Sequence, residues 1–276
     1  MSVIDEPVAS DRPISNYVHA GNAAVRDLFN QRTVERDAPH VAPHLRPGMR
    51  LVDFGCGAGS LTCGFASLIA PGDVLGFDIS EDAIGRARAL AEGAGLANVR
   101  FSTADISKLN LAPESFDVAH FGNVLRYLRE PQRAVQLAFR SLKSGGMVAA
   151  SEGYLAGNWA GGPHAEATML VMRVLQDENE AKGGDPLIGG RLRGLLREAG
   201  FTQIVSTPAY SPALSDSKAL GATLRASWSE NLRPMLMRHG ITAEQCDQLI
   251  DEISIWAESE DSVAAIAQCT VTGWKR

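Results

Sequence analysis

The sequence has few cysteines, no excess of basic charge and no long hydrophobic run. Its cysteines form no C-x-x-C pair, so neither a disulfide framework nor a zinc site is indicated, and a reducing cytoplasm fits. The formal net charge is −6, which gives no basic field to attract nucleic acid. No apolar run approaches the roughly 20 residues of a membrane span. The acidic N-terminus lacks the basic region of a signal peptide. We therefore expect a cytoplasmic protein that binds neither nucleic acid nor membranes.

The chain is long enough to form one large domain or two small ones. Its 276 residues are 45% hydrophobic and 21% charged, as in an ordinary soluble globular protein. A chain of this length can bury a full apolar core without disulfides or structural metals. We therefore expect a core that is stable without covalent cross-links.

The most informative stretch is a glycine-rich segment at residues 51–60. Residues 51–54 have strand character, glycines follow at positions 55, 57 and 59, and an apolar run over 61–70 predicts a helix. Glycine is needed where the backbone turns sharply or where a ligand approaches it closely. The first turn of the following helix also offers unpaired N–H groups. Ser60 directly after Gly59 gives Asp-x-Gly-x-Gly-x-Gly rather than Gly-x-Gly-x-x-Gly. The alternative interpretation is a glycine-rich turn with no ligand.

Acidic residues end the next two predicted strands. Asp78 closes a strand at residues 74–78, where an acid can accept hydrogen bonds from both ribose hydroxyls of an adenosine. A helix N-cap is the competing role for Asp78, but Ser80 suits that position better. Asp105 closes a third strand at residues 99–106, where a carboxylate can accept from an adenine amine. These acids indicate a nucleoside-containing ligand.

Predicted strands alternate with predicted helices through the first half of the chain. Further strands are expected at residues 116–123 and 147–152, with a helix from about 131 to 142 between them. This alternation implies right-handed βαβ units and a parallel sheet covered on both faces, an α/β doubly wound fold.

Two segments fall outside the alternating pattern. Residues 154–188 contain one predicted helix from about 164 to 181, and residues 216–258 contain two. Thr242 and Gln245 form a capping box for the second of these two. Insertions near the carboxyl ends of strands are where α/β enzymes build substrate sites. We expect an N-terminal helical cap over residues 1–47, with a predicted helix at 16–36. A domain over 48–276 would carry both insertions as an apolar cap over the ligand.

Several motifs together resemble class I S-adenosylmethionine-dependent methyltransferases over about residues 48–205. They are VDFGCGAGSLT, the acids of GFDIS and TADIS, FDVAHFGNVLRYLREP and LKSGGMVAASE; YVHAG, QRT and PHLRPGMRL resemble the ubiquinone/menaquinone-biosynthesis subgroup. The resemblance implies a seven-stranded, mostly parallel sheet with strand six near Val205 and an antiparallel strand seven at 264–274. It also implies S-adenosylmethionine as cofactor, with contacts at Tyr17, Arg32, Gly55, Gly57, Asp78, Ile79, Asp105, Ile106 and Asn123.

The leading hypothesis is methyl transfer from S-adenosylmethionine to the oxygen, nitrogen or carbon of a small organic molecule. The rival enzyme class is a nicotinamide-dependent dehydrogenase. Two residues argue against it: Ser60 in place of the third glycine of the dinucleotide-binding motif, and Asp105 at the third strand. A non-catalytic protein that only binds the cofactor is the third alternative. The segment at residues 120–124 lacks the motif of enzymes that methylate nucleobase amines, and the cysteine positions argue against arsenite. A small-molecule substrate is the expected partner, and homodimer formation stays open.

Three polar residues are candidates for acid–base assistance. Our hypothesis assigns His164, at the start of the cap helix, as general base, because an imidazole titrates near neutral pH. It assigns Glu152, at the end of strand five, as the group that orients the substrate, with helix capping or pairing to an arginine as its alternative role. His120, inside strand four, is predicted to be a packed core histidine. His40 and His44 have metal-pair spacing, but the prolines around them favour surface or packing roles, so no metal site is expected.

Overall fold

The computed structural model describes residues 30–212 and 215–276. Tyr17 and most of the predicted helix at 16–36 lie outside these ranges. The strands are β1 (Leu51–Phe54), β2 (Val74–Asp78), β3 (Val99–Thr103), β4 (Phe116–Gly122), β5 (Leu142–Gly153), β6 (Trp159–Gly161), β7 (Thr202–Tyr210), β8 (Val263–Ala265) and β9 (Ala267–Trp274). The helices are α1 (Val34–Asp37), α2 (Ser60–Ile69), α3 (Glu81–Gly93), α4 (Pro131–Ser141), α5 (Ala165–Ala181), α6 (Leu192–Ala199), α7 (Ser217–Ala226), α8 (Arg233–Arg238) and α9 (Ala243–Glu258). Within these ranges, no helix is both long and apolar enough to cross a membrane.

A seven-stranded sheet forms the centre of the molecule, in the order β3-β2-β1-β4-β5-β9-β7. The first five strands of this order pair in parallel, whereas β9 is antiparallel to both of its neighbours, β5 and β7. All four residues of β1 are buried, which is typical of a parallel strand covered by helices on both faces. The predicted doubly wound fold with an antiparallel last strand is confirmed.

Several strand boundaries differ from the prediction: β5, for example, begins at Leu142 instead of residue 147. The expected last strand at 264–274 is divided at Ile266, whose backbone N–H donates to Ser215 Oγ and whose carbonyl accepts from the Ser211 N–H. Before this break, β8 pairs with β6 in a separate two-stranded sheet. The third strand ends at Thr103, because Asp105 caps a 3₁₀ turn instead of continuing the strand. Hydrogen bonds to a distant segment therefore divide the last strand, whereas a local side-chain cap ends the third.

Helix caps follow the sequence signals closely. Ser80 accepts from the Ala83 N–H at the start of α3, as expected. The predicted capping box is present at the start of α9, where the Thr242 and Gln245 side chains each accept from the other residue's backbone N–H. These caps satisfy N–H groups that the helices cannot pair internally.

The two insertions share a hydrophobic cluster that is separate from the core of the sheet. This cap cluster comprises apolar residues of α5, α7, α8 and α9, together with the π-helical turn Trp228–Leu232 and Ala264 of β8. Trp256 is fully buried within it, and its indole N–H donates to the Gly161 carbonyl at 2.9 Å. Segments far apart in the sequence are therefore joined into one helical unit.

An ionic network around the buried carboxylate of Glu178 ties the end of α5 to the end of α8. Glu178 accepts from Arg238 at 3.0 Å and from His239 at 3.1 Å, and lies 3.2 Å from Lys182 Nζ. Burial raises the pKa of Glu178, but the hydrogen bonds from His239, Lys182 and Arg238 outweigh it and lower the pKa to about 2. A carboxyl group whose pKa is lowered by folding stabilises the fold above its unfolded pKa.

We expect the Glu178→Gln substitution to destabilise the protein at pH 7 by up to about 3 kcal/mol. Because this contribution disappears as the carboxylate is protonated, the difference from wild type should shrink between about pH 4.5 and pH 2. Urea unfolding across that range measures it, and Glu180→Gln, an exposed neighbour on α5, is the control. An equal loss at pH 7 and pH 2.5 would contradict an electrostatic role for Glu178.

Candidate active site

The glycine-rich loop joins β1 to α2, and its glycines meet two different requirements. All three have positive φ angles, +74° at Gly55, +55° at Gly57 and +84° at Gly59. A Cβ at position 55 would lie 2.5 Å from Val124 Cγ2, and one at position 59 would lie 2.9 Å from Ala87 Cβ. A Cβ at position 57 would meet no atom of the described residues within 4 Å. Two glycines therefore allow close packing of the loop, and the third faces open space where a ligand can approach the backbone.

Asp78 lies at the end of β2, and its carboxylate contacts this loop directly. Its Oδ2 accepts from the Gly57 N–H at 2.9 Å, and its Oδ1 accepts from the Ser80 N–H at 2.9 Å. Burial raises the pKa of Asp78, and the two backbone hydrogen bonds partly oppose that rise. Each carboxylate oxygen retains a lone pair beyond the one used here. The carboxylate is thus held at the edge of the loop with acceptor capacity for hydroxyl groups.

Asp105 lies at the same edge of the sheet as Asp78. The Ala104 N–H donates to the Asp78 carbonyl at 2.8 Å, which joins the ends of β2 and β3. Asp105 Oδ1 accepts from both the backbone N–H and the hydroxyl of Ser107, so one oxygen is already engaged by its own turn. Of the two predicted apolar contacts, Ile79 is partly buried and Ile106 packs in the sheet core.

The chain after β4 is held in place by Glu152. Asn123 adopts φ = +59°, and its N–H donates to the Ser151 carbonyl at 2.8 Å. Glu152 Oε1 accepts from the N–H groups of Val124 and Leu125, at 2.8 Å and 2.7 Å. Because Val124 packs against Gly55, Glu152 indirectly supports the wall of the glycine-rich loop.

Glu152 itself is fully buried, and burial raises the pKa of its carboxyl group, which the nearby Arg126 partly opposes. Its Oε2 has no hydrogen-bond partner among the described residues. The capping role considered for Glu152 is therefore present in the structure, and contact with a substrate stays a prediction.

His164 lies in a different environment from Glu152. It is exposed at the N-cap position of α5, with φ = +60° and no side-chain capping hydrogen bond. Arg32 lies near the carboxyl end of β4, since a Cβ on Gly122 would be 3.7 Å from Arg32 Nη1. Tyr17 lies outside the described residues. The structure therefore gathers the candidates at 55, 57, 78, 105 and 123 at one edge of the sheet, with Arg32 nearby.

One group of polar residues was not anticipated from the sequence. Asp53, the first residue of the glycine motif, is 2% exposed and lies beside His120, with Oδ1 2.8 Å from His120 Nδ1. Asp53 Oδ2 accepts from the Thr62 hydroxyl at 2.6 Å. The predicted packing role of His120 is confirmed, because it is 2% exposed and contacts Phe65 edge-on. The strand order is the signal that could have revealed this contact, because β1 and β4 are neighbours in the sheet and Asp53 pairs with His120 in register.

The remaining histidine pair has packing roles. His44 packs edge-on against Trp274 with ring centroids 5.3 Å apart, and burial lowers the pKa of His40 to about 3. Among the described residues, no group of three or more histidine, cysteine or acidic side chains is arranged to hold a metal ion.

A surface cavity of about 330 Å³ borders His44 and Trp274, but it lies at the amino ends of β1 and β4, away from the glycine-rich loop.

Comparison with known proteins identifies the family. A family model described as a methyltransferase domain matches residues 45–205, which include the glycine-rich loop and both strand-end acids. The chain belongs to the methyltransferase family. This methyltransferase is 26% identical to the probable methyltransferase ltbC of Aspergillus luteorubrus, over 97% of this chain and all of that protein. It is 37% identical to the ubiquinone/menaquinone biosynthesis C-methyltransferase UbiE of Ectopseudomonas mendocina, over 55% of this chain and 57% of that one.

A solved structure supports the fold. The phosphoethanolamine N-methyltransferase 2 of Haemonchus contortus, in complex with phosphomonomethylethanolamine and S-adenosylhomocysteine, superposes with a TM-score of 0.59 and 15% identity. The superposition covers 95% of the chain described here and 58% of the Haemonchus contortus chain. A second solved structure of that enzyme, in complex with S-adenosyl-L-methionine, has the same TM-score of 0.59 and 15% identity. The glycine-rich loop, with open space at Gly57 beside the Asp78 carboxylate, is compatible with that cofactor.

Proposed function

We propose that this enzyme binds S-adenosylmethionine at the glycine-rich loop and methylates a small organic molecule at the carboxyl edge of the sheet. The observation that carries the proposal is the open space beside Gly57, bordered by the fixed carboxylate of Asp78. A carboxylate there can accept hydrogen bonds from a ribose, as at the corresponding strand end of other nucleotide-binding α/β folds. The loop backbone can approach a ligand closely because no side chain occupies position 57.

The other contacts follow from the same assignment. Asp105 would accept from the adenine amine, while Ile79 and Ile106 would supply apolar contacts to the adenine. Asn123, with Arg32 and Tyr17 from the N-terminal segment, would border the remainder of the cofactor. The charged and polar members of this set that the structure describes lie at or near the edge formed by β2, β3 and β4, which supports a single ligand site.

The chain contributes mainly positioning. When bound, S-adenosylmethionine supplies an activated methyl group on a sulfonium leaving group. The protein must then hold the acceptor in line and exclude water, and correct positioning alone can be worth about 7–11 kcal/mol. We assign acceptor deprotonation to His164 and acceptor orientation to Glu152. A nucleophilic triad is not required for this chemistry.

The acceptor class follows from the charge and the cysteines. The net charge of −6 does not favour a nucleic-acid substrate. Arsenite would need converging thiols, but Cys56 and Cys63 belong to the glycine-rich loop and its helix, and Cys246 and Cys269 pack in two other hydrophobic clusters. All four cysteines are free of disulfide bonds, which is compatible with a cytoplasmic enzyme. A small organic acceptor, methylated at oxygen, nitrogen or carbon, fits best, and a homodimer is compatible with this activity.

Parallel calorimetric titrations with S-adenosylmethionine and with NAD test the cofactor assignment. We expect binding of the first only, and NAD binding would favour a dehydrogenase instead. A screen of small metabolites with methyl-labelled cofactor then tests catalysis. Tight cofactor binding without transfer to any acceptor in a broad screen would favour a non-catalytic cofactor-binding protein.

We predict that the cap closes over bound cofactor. Hydrogen exchange in residues 16–36 and 154–188 should slow when S-adenosylmethionine is added, because closing segments lose exposure to solvent. Helix α4 (Pro131–Ser141), which packs on the core of the sheet and not in the cap cluster, is the internal control and should change little. Equal exchange with and without cofactor in both segments would mean that the cap is a fixed part of the fold.

A further inference from the structure

The surface cavity at the amino ends of β1 and β4 has the composition of a ligand pocket. Its volume of about 330 Å³ is sufficient for a small molecule. Among the residues that line it, Val118 and Met147 are buried, and Met49 packs against the same core. The rings of His44 and Trp274 also line it and meet edge-on, with centroids 5.3 Å apart. Apolar and aromatic lining of this kind favours a planar ring as the occupant.

An irregularity in β5 forms one side of this cavity. Phe116 of β4 pairs with Leu142, but Val118, two positions later, pairs with Met147, five positions later. The extra residues of β5 bulge out of the ladder, and the segment 144–146 lines the cavity. The backbone of the sheet therefore shapes this space, which is present before any ligand binds.

A guanidinium group borders the cavity. Arg46 is exposed and follows the 3₁₀ turn Ala42–His44, and its Nη1 donates to the carbonyls of Pro43 and Leu45, at 2.7 Å each. These two bonds hold the side chain on its own turn. The part of the chain that the structure describes offers no partner to its Nε and Nη2. A guanidinium with a free edge of this kind can bind a carboxylate through two parallel hydrogen bonds.

The surroundings of the cavity are basic, although the net charge of the chain is −6. Asp117 lines the cavity, but its carboxylate accepts from Lys143 Nζ and from the Arg50 N–H, at 2.7 Å each. Lys275 lies at the same edge of the sheet, 3.9 Å from Glu114. Three cationic residues and the guanidinium group therefore face two acids. This excess of positive charge favours an anionic ligand.

We propose that the cavity is a second ligand site, which binds a small aromatic carboxylate. The ring of the ligand packs against His44 and Trp274, and its carboxylate pairs with Arg46. The cavity and the glycine-rich loop lie at opposite ends of the parallel strands, so this ligand binds together with S-adenosylmethionine and does not compete with it. The inference is independent of the proposed function, because none of these residues is assigned to the cofactor or to the methyl acceptor.

Nuclear magnetic resonance of protein with isotope-labelled methionine methyl groups, titrated with benzoate, locates the site. Met49 and Met147 line the cavity, whereas Met172 and Met235 belong to the cap cluster. We expect benzoate to shift the signals of the first two, because its ring lies beside them, and to leave the other two unchanged. Acetate, which has no ring, and benzyl alcohol, which has no charge, should each bind at least about tenfold more weakly than benzoate.

Substitutions of Arg46 test the recognition of the carboxylate. Arg46→Gln should weaken benzoate binding by about tenfold or more, the scale of lost hydrogen bonds between charged groups. Arg46→Lys should fall between this variant and wild type, because lysine keeps the charge but not the paired donors. Arg133→Gln, which removes an exposed arginine of α4, is the matched control and should bind benzoate like wild type.

Methyl signals of Met49 and Met147 that do not respond to benzoate would overturn the inference. Equal benzoate affinity in Arg46→Gln and wild type, or equal affinity for benzoate and benzyl alcohol, would also overturn it. So would loss of benzoate binding on addition of S-adenosylmethionine, since that result would place benzoate in the cofactor site. The benzoate titrations themselves need no cofactor and no methyl transfer, so failure of this inference leaves the proposed function standing.

Discussion

Replacing Asp78 with alanine should weaken S-adenosylmethionine binding by more than about 1 kcal/mol, or more than roughly fivefold, the scale of lost charge-assisted hydrogen bonds. Two losses contribute to this result. The ribose loses its carboxylate acceptor, and the Gly57 N–H loses the partner that now holds it at 2.9 Å. The fold should survive, because Asp78 is the last residue of β2 and is not part of the apolar core. Calorimetric titration measures the affinity, and circular dichroism checks the fold.

A matched control separates the local role of Asp78 from a general loss of acidic charge. Asp82→Ala removes an exposed carboxylate of α3 and should leave cofactor affinity unchanged. Asp78→Asn should fall between wild type and Asp78→Ala, since an amide oxygen still accepts but carries no charge. Equal affinity in wild type and Asp78→Ala would reject Asp78 as the ribose-binding acid.

The affinity should also depend on pH in a defined direction. The ionised carboxylate is the form that accepts hydrogen bonds from hydroxyl groups, and burial raises the pKa of Asp78 above its usual range. Cofactor binding should therefore weaken on acidification, beginning at a higher pH than for an ordinary aspartate. The Asp78→Asn variant should lack this dependence, because its amide does not titrate there.

Much of the sheet could be predicted because its signals are local. Apolar strands alternating with helices imply parallel βαβ units, and the family resemblance added the antiparallel last strand. The acids at positions 78 and 105 could be placed at one edge because the carboxyl ends of parallel strands meet there. Helix starts at Ser80 and Thr242 followed from capping chemistry, which involves residues only three positions apart.

Interactions between distant residues were harder to predict. Asp53 and His120 are separated by 67 positions, and no local pattern relates them. Ile266 ends one ladder and begins another because it bonds to Ser211 and Ser215, some fifty residues away. The support that Glu152 gives to the chain after β4 depends on the loop geometry at Val124. In each case the decisive partner is known only once the strands are assembled.

The structure gives His164 an unusual backbone for a residue that opens a helix. Its φ of +60° is uncommon for a residue with a Cβ, although histidine tolerates it better than most. No side-chain capping bond explains the presence of a histidine there. The imidazole is exposed, so it is accessible to a small acceptor in solution and would be enclosed with it when the cap closes. The role of His164 as general base therefore stays a prediction.

If His164 is the general base, His164→Ala should reduce turnover by about 10²–10⁴-fold, the usual contribution of acid–base assistance. Cofactor affinity should stay unchanged, because His164 belongs to the cap and not to the glycine-rich loop. His164→Asn tests the backbone separately, since asparagine adopts the left-handed conformation readily but has no titratable group. Both variants should therefore lose turnover equally. A full recovery with asparagine, or a loss below about fivefold with alanine, would leave positioning as the whole mechanism and would assign His164 to the structure of the cap.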